Sequence, residues 1–252
     1  MVYQHRNSFV QNPMGFVSIV LLAFLALLSG QSAMAQQYPM DSDVGLDGEA
    51  LWDTCAFCHG VQGQGGPALD APALAGMEAW YVERQLHNFR NRVRGMHYED
   101  VPGVQMSIVS GMVRNQATIE NIAAYIESME PGAPPELANN GEPAGTARPF
   151  IWRSKYAELE HPSEPNIENG KTIYTGACSA CHGFNGQGNE SLGSPKLTDQ
   201  VGWYMERQLQ YFRDGIRGAH PSDIFGMQMA IFSKMLADEQ AIADVVAYIE
   251  TL

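Results

Sequence analysis

The sequence predicts an all-α protein made of two tandem domains of one design. Three observations carry that expectation. Sliding the chain by 123 positions aligns Cys55–Met129 with Cys178–Leu252 without a gap, and about 33 of those 75 positions are identical. A period this long means duplicated domains, not a solenoid of small repeats. Apolar side chains also recur at helical spacing in both copies, as Val82, Leu86, Phe89 and Val93 and again as Met205, Leu209, Phe212 and Ile216. Neither copy carries a convincing strand-like alternation. Lastly, each copy opens on a Cys-x-x-Cys-His motif.

Taken in order along the chain, residues 1–35 read as a cleaved signal peptide. His5 and Arg6 lie in a polar leader, Phe16 to Leu28 form an unbroken run of apolar and small residues, and Ala33-Met34-Ala35 supplies the small-x-small cleavage pattern. The apolar run is shorter than the roughly 20 residues a membrane-spanning helix needs. Residues 36–130 form the first domain, 131–165 a linker and 166–252 the second domain. Asn115 and Asp238 occupy equivalent positions and read as N-caps of the last helix in each copy. The linker is rich in Pro, Gly, Ala and Asn, yet it contains Phe150-Ile151-Trp152, which suggests that it packs on something.

Charge narrows the partners. The 252 residues carry 28 acidic and 15 basic side chains, a formal net charge of −13. That balance argues against nucleic acid, whose phosphates call for a basic face. It permits a basic protein partner and also serves plain solubility.

The chemistry lies with the cysteines. All four fall in two pairs, Cys55 with Cys58 and Cys178 with Cys181, followed at once by His59 and His182. On a helix, thiols three residues apart share a face. Two of them can add to the two vinyl groups of one haem while the adjacent imidazole ligates its iron. A thioredoxin-like dithiol would want a βαβ context, and four thiolates with two histidines could in principle hold zinc. A duplicated Cys-x-x-Cys-His behind an export leader favours covalent haem, two groups per chain. Each copy has about 90 residues, which is small for a self-sufficient core, and a large apolar cofactor would make up the shortfall.

A sixth ligand separates a carrier from an enzyme, because a vacant iron face admits substrates. Candidates recurring in both copies are Met106 with Met229, Met112 with Met235, and His97 with His220. Met106 and Met229 end the stretches Gly103-Val104-Gln105-Met106 and Gly226-Met227-Gln228-Met229, read as Gly-containing loops that drop back over the haem. They are the expected ligands, with the histidine pair second. Met112 and Met235, three residues before the caps, are expected in the core.

With these residues in view, the chain resembles the dihaem cytochromes of the cytochrome c4 kind, two class I cytochrome c domains in tandem. The resemblance rests on Cys-x-x-Cys-His-Gly and on Tyr81-Val82-Glu83-Arg84-Gln85-Leu86 with Phe89-Arg90. It rests equally on Tyr204-Met205-Glu206-Arg207-Gln208-Leu209 with Phe212-Arg213. The spacing from Met106 and Met229 to the last helix also fits the family's axial methionine. The likeness covers nearly all of residues 46–130 and 167–252, with a longer linker than the family's. It implies that Pro72 and Leu74, and Pro195 and Leu197, belong to a proximal loop in which a backbone carbonyl orients the haem histidine.

Three repeated arginine pairs are candidate partners for haem propionates: Arg84 with Arg207, Arg90 with Arg213, and Arg94 with Arg217. For any one of them a solvated helix face or a surface ion pair is the plainer expectation. Trp80 and Trp203 are expected at a haem edge or in core packing. The functional expectation is a periplasmic one-electron carrier without substrate turnover of its own. The resemblance implies donors such as a quinol-oxidising complex and acceptors such as a terminal oxidase or reductase, with at most peripheral membrane association. The alternatives are a dedicated subunit of a dehydrogenase or flavoprotein and, further off, a dihaem peroxidase.

Overall fold

The computed structural model describes residues 45–132 and 163–252. The leader at 1–35 and most of the linker, Phe150 and Trp152 included, lie outside the described residues. Every regular element described is helical, and pairing is limited to two isolated bridges, Gly66 with Ala71 and Asn189 with Ser194. The all-α expectation holds. The first domain consists of α1 (Gly48–His59), a short 3-10 turn (Pro67–Leu69), α2 (Ala79–Arg90), α3 (Val101–Ser110) and α4 (Gln116–Ser128). The second repeats it with α5 (Ile167–Ile173), a π-helical turn (Tyr174–Cys178), α6 (Ser179–His182), a 3-10 turn (Glu190–Leu192), α7 (Gly202–Arg213), α8 (Ile224–Ser233) and α9 (Glu239–Ile249).

In each domain the first and last helices cross at a glycine. A methyl group on Gly48 would collide with the carbonyl of Asn121, and one on Gly170 with the carbonyl of Asp244. Only a residue without a side chain lets the two backbones approach so closely. This crossing also explains the π-turn. The glycine stands seven residues before Cys55 but eight before Cys178. The second copy must absorb one extra residue between the crossing and its first cysteine, and a π-turn does that without breaking the helix.

The core slot beside the crossing is filled from a shifted position as a result. Trp52 fills it in the first domain, tilted on Tyr125, and Tyr174 in the second, tilted on Tyr248. Each satisfies its polar tip on the backbone that follows the motif: Trp52 Nε1 donates to Val61 O at 3.0 Å and Tyr174 OH to Gly183 O at 2.6 Å. The rest of the two cores is aliphatic, built from Val82, Ile122 and Ile126 in the first domain and Met205, Ile242, Val245 and Ile249 in the second. As expected, Asn115 caps α4 by accepting from the N–H groups of Ala117 and Thr118, and Asp238 caps α9 by accepting from Ala241.

Candidate haem sites

The two motifs sit at helix ends: Cys55, Cys58 and His59 on the last turns of α1, and Cys178, Cys181 and His182 on the π-turn and α6. Both helices stop at a glycine with positive φ, Gly60 at 82° and Gly183 at 81°. The chain therefore turns away directly after the histidine. The 13-residue excursion that follows brings a proline carbonyl back under each imidazole. His59 Nδ1 lies 2.9 Å from Pro72 O, and His182 Nδ1 lies 2.8 Å from Pro195 O.

A carbonyl only accepts, so Nδ1 carries the proton in both rings and the Nε2 lone pair is free for a metal. Burial lowers the pKa of both histidines, outweighing the opposing effect of the carbonyl, so the neutral form is favoured. Burial, and then the neighbouring thiol, pushes Cys55 and Cys178 up to about 11. A thioredoxin-like attacking thiol needs the opposite shift, so these thiols do not have the character of a redox dithiol. No disulfide joins any of the four cysteines, and no three His, Cys, Asp or Glu side chains among the described residues gather into a metal site.

In the second domain Cys178, Cys181, His182 and Met229 line one cavity of about 590 Å³, together with Leu197, Leu209, Phe212 and Phe232. Its size and apolar walls suit a large flat cofactor. Met106 and Met229 are not in loops, as expected from the sequence, but within α3 and α8. The reason is a cap: Asp100 and Asp223 accept from the N–H groups of Gly103 and Gly226 at 3.0 Å, so those glycines begin helices instead of interrupting them. Ser233 Oγ donates to Met229 O at 2.6 Å, and the equivalent Ser110 bonds Met106 O in the same way.

Met112 and Met235 are not core residues. They are 74% and 67% exposed, and Met235 lies on the cavity rim. The methionine sits in the tight turn before the cap, where the chain has no second layer to bury it. His97 and His220 use Nδ1 to accept from the N–H groups of Glu99 and Ser222, which turns the chain into the methionine helix. His220 does not line the cavity.

The arginines give the least expected result. Arg84 and Arg207 reach across the joint between the domains. Arg84 Nη2 donates to Gly193 O at 2.7 Å, and Arg207 bonds both the carboxylate and the carbonyl of Asp70. Asp70 and Gly193 are equivalent positions, so the joint has a two-fold character written into the repeat. Trp80 and Trp203 lie here too, under the guanidinium groups of Arg84 and Arg207.

At the centre of the joint, Arg94 donates to Gln85, Tyr204 and Gln208, while Arg217 donates to Gln208, Tyr81 and Gln85. Both guanidiniums are buried, and each leaves its Nε without a hydrogen-bond partner. Burial would raise the Tyr204 phenol, yet Arg94 and Arg217 outweigh it and hold the group below its usual range. Buried guanidiniums with orphaned Nε donors suit anions, and haem propionates have that chemistry. Only the third pair is peripheral: Arg90 bonds the carbonyls of Val113 and Arg114, and Arg213 pairs with Glu239 at 2.6 Å. The solvated-face expectation fails for four of the six.

The joint role of Tyr81, Gln85, Tyr204 and Gln208 is not legible in the sequence, although all four recur in the repeat. Their repetition inside otherwise amphipathic helices was the available signal.

Two helical domains, each with a Cys-x-x-Cys-His end whose histidine is buried, define a tandem class I c-type cytochrome with two covalently bound haem c groups. The Cytochrome c family model matches residues 46–130 and 167–252, and the chain belongs to that family in its dihaem, cytochrome c4-like form. A curated cytochrome c4 of Stutzerimonas stutzeri is 31% identical over 78% of this chain and 83% of its own length. A protein from Stutzerimonas stutzeri (strain A1501), called thiosulfate dehydrogenase electron acceptor, is 30% identical over 86% of this chain and 88% of its own length. Among solved structures, the reduced recombinant cytochrome c4 from Pseudomonas stutzeri superposes with a TM-score of 0.58 at 25% identity, covering 83% of this chain and 100% of that one. The protein is a dihaem electron-transfer cytochrome whose partners are redox proteins.

Proposed function

We propose that Cys55 and Cys58 anchor one haem and Cys178 and Cys181 the other. His59 and His182 are the proximal ligands, and Met106 and Met229 the distal ones. The observation that carries this reading is the cavity on which both cysteines of the second motif, His182 and Met229 converge. When bound, each haem supplies a one-electron Fe(III)/Fe(II) couple. The chain's own residues do the rest. The proline carbonyls hold the imidazoles, Ser110 and Ser233 hold the methionine backbones, and the aliphatic and aromatic walls keep water out. Arg94 and Arg217 balance propionate charge at the joint.

With both iron faces occupied, the protein has no place for a substrate and works as a carrier without turnover of its own. Acid–acetone extraction should leave the colour on the protein, and a pyridine haemochrome assay should count two haems per chain. Colour passing into the organic phase would refute covalent attachment.

The leader at 1–35, with the features of a cleaved signal peptide, supports a periplasmic location, and residues 131–165 serve as the linker between the two domains. No helix among the described residues is long and apolar enough to cross a membrane. Its partners are a quinol-oxidising complex and a terminal oxidase or reductase; a relative described as a cbb3-type cytochrome c oxidase subunit, 29% identical over 62% of this chain, supports the oxidase side. A second reading, a dedicated acceptor for a dehydrogenase, is favoured by the relative called thiosulfate dehydrogenase electron acceptor. Co-purification at moderate salt separates the two: a dedicated acceptor stays with its dehydrogenase, and a shuttle elutes alone.

A further inference from the structure

The two proximal loops are each held by the opposite domain, and the two clamps differ in charge. Pro72 C=O, which receives the proton of His59 Nδ1, belongs to the same peptide unit as Ala73 N–H. That N–H donates across the joint to Gln200 Oε1 at 3.1 Å, and Gln200 Nε2 returns a bond to Ala73 O at 3.0 Å. In the second domain, Pro195 C=O shares its peptide unit with Lys196 N–H, which donates to Glu78 Oε1 at 2.8 Å. One histidine therefore ends its hydrogen-bond chain on a neutral amide and the other on a carboxylate.

The clamps are not products of the duplication. Gln200 stands where the first copy has Met77, and Glu78 where the second has Val201. Glu78 occupies the N-cap position of α2 but makes no capping bond there. Its second oxygen is buried without a partner, and the nearby Lys196 Nζ pairs with Asp199 instead. The carboxylate thus makes its one hydrogen bond across the joint to the Lys196 N–H, with the Arg84 guanidinium as a further electrostatic neighbour.

We infer that Glu78 of the first domain tunes the haem of the second, lowering its reduction potential by strengthening the His182–Pro195 hydrogen bond through the shared peptide. An anion on the amide N–H polarises that peptide and makes its carbonyl a stronger acceptor. His182 then gains imidazolate character and donates more strongly to iron, which favours the ferric state. Gln200, being neutral, does this weakly for His59. Glu78 is a positioning residue that acts through His182, and the inference rests on His59 and His182 being the proximal ligands.

The test follows stepwise reduction of the intact dihaem protein by NMR, reading each haem's potential and, in the reduced state, the Nδ1 protons of both histidines. Glu78→Gln should raise the second haem's potential, on the order of tenfold in its oxidised-to-reduced ratio, which is about 59 mV for one electron. It should also move the His182 Nδ1 proton to higher field, with the first haem and His59 unmoved. Glu78→Asp keeps the charge but is too short to hold the bond, so it should also raise the potential. Gln200→Glu should lower the first haem's potential instead.

Equal shifts of both haems, no shift with Glu78→Gln, or a wild-type potential in Glu78→Asp would overturn the inference. Failure of the ligand assignment looks different. The unsubstituted protein would then lack two ring-current-shifted imidazoles.

Discussion

Arg207, only 2% exposed, spends both terminal nitrogens on Asp70 of the other domain, at 2.7 Å to the carboxylate and 2.7 Å to the carbonyl. Its counterpart Arg84 finds only the carbonyl of Gly193. The joint is thus two-fold in outline, with an ion pair at one of the two equivalent positions and a carbonyl contact at the other. Asp70 also holds a positive φ of 58°, a conformation that Asp and Asn tolerate better than Ala.

Removing one partner of a buried ion pair costs about 3–5 kcal/mol. Asp70→Ala should therefore lower the thermal midpoint strongly. Asp70→Asn, which keeps the backbone conformation and a neutral acceptor but not the charge, should cost less than Asp70→Ala. Arg84→Ala should cost less than Arg207→Ala. Equal losses in calorimetry of all four variants would mean that the pair contributes no more than a surface bridge.

Methionine ligation of iron(III) has a weak far-red absorption band. Met106→Ala should remove about half of it, Met229→Ala the other half, and the double variant all of it. A band that survives both changes, or one that is lost in His97→Ala or His220→Ala, would move the sixth ligand to the histidines.

Asp244 is buried and accepts from Asn166 N–H, Asn169 Nδ2 and Gln240 Nε2 at 2.7–2.8 Å. Burial would raise its pKa, but these three donors together lower it. A carboxyl with a depressed folded pKa contributes stability that is fully present above its unfolded value, about 4, and lost as pH falls through the folded one. The first domain has Asn121 at this position, donating to Leu46 O at 2.9 Å, so no carboxylate titrates there. Asp244→Asn should cost about 1–3 kcal/mol at neutral pH and flatten the loss of stability below pH 4 in pH-dependent denaturation curves. An unchanged acid limb would contradict this account.

The helix crossings admit no side chain. Gly48→Ala and Gly170→Ala each drive a methyl group into a backbone carbonyl, which cannot move aside as a side-chain tip could. Each should destabilise its domain by about 1–3 kcal/mol or more, read as a lowered thermal midpoint with the haem content unchanged. Stability equal to the parent in both variants would show that the crossing has slack.

Much of this molecule was legible in the chain itself, because its chemistry is local. A thiol pair and an imidazole on one helical turn need only the helix to share a face, so Cys55, Cys58 and His59 and their second-copy equivalents declare a haem without any tertiary knowledge. The duplication was equally plain, since two copies of one core keep one pattern. Even the caps Asn115 and Asp238 could be read, as each acts on N–H groups two or three residues away.

What the tertiary structure decided lies between the copies. Which face of α2 and α7 turns to the other domain depends on how two surfaces fit, and no periodicity within either copy encodes that. Arg94 and Arg217 could therefore pass for surface arginines until the joint buried them, and Met106 for a loop residue until Asp100 closed a helix ahead of it. Glu78 and Gln200 break the repeat at neighbouring positions, which in the sequence looks like drift. Across the joint each meets the peptide that holds the other domain's histidine, because hydrogen bonds over more than a hundred residues of chain exist only once the chain has folded.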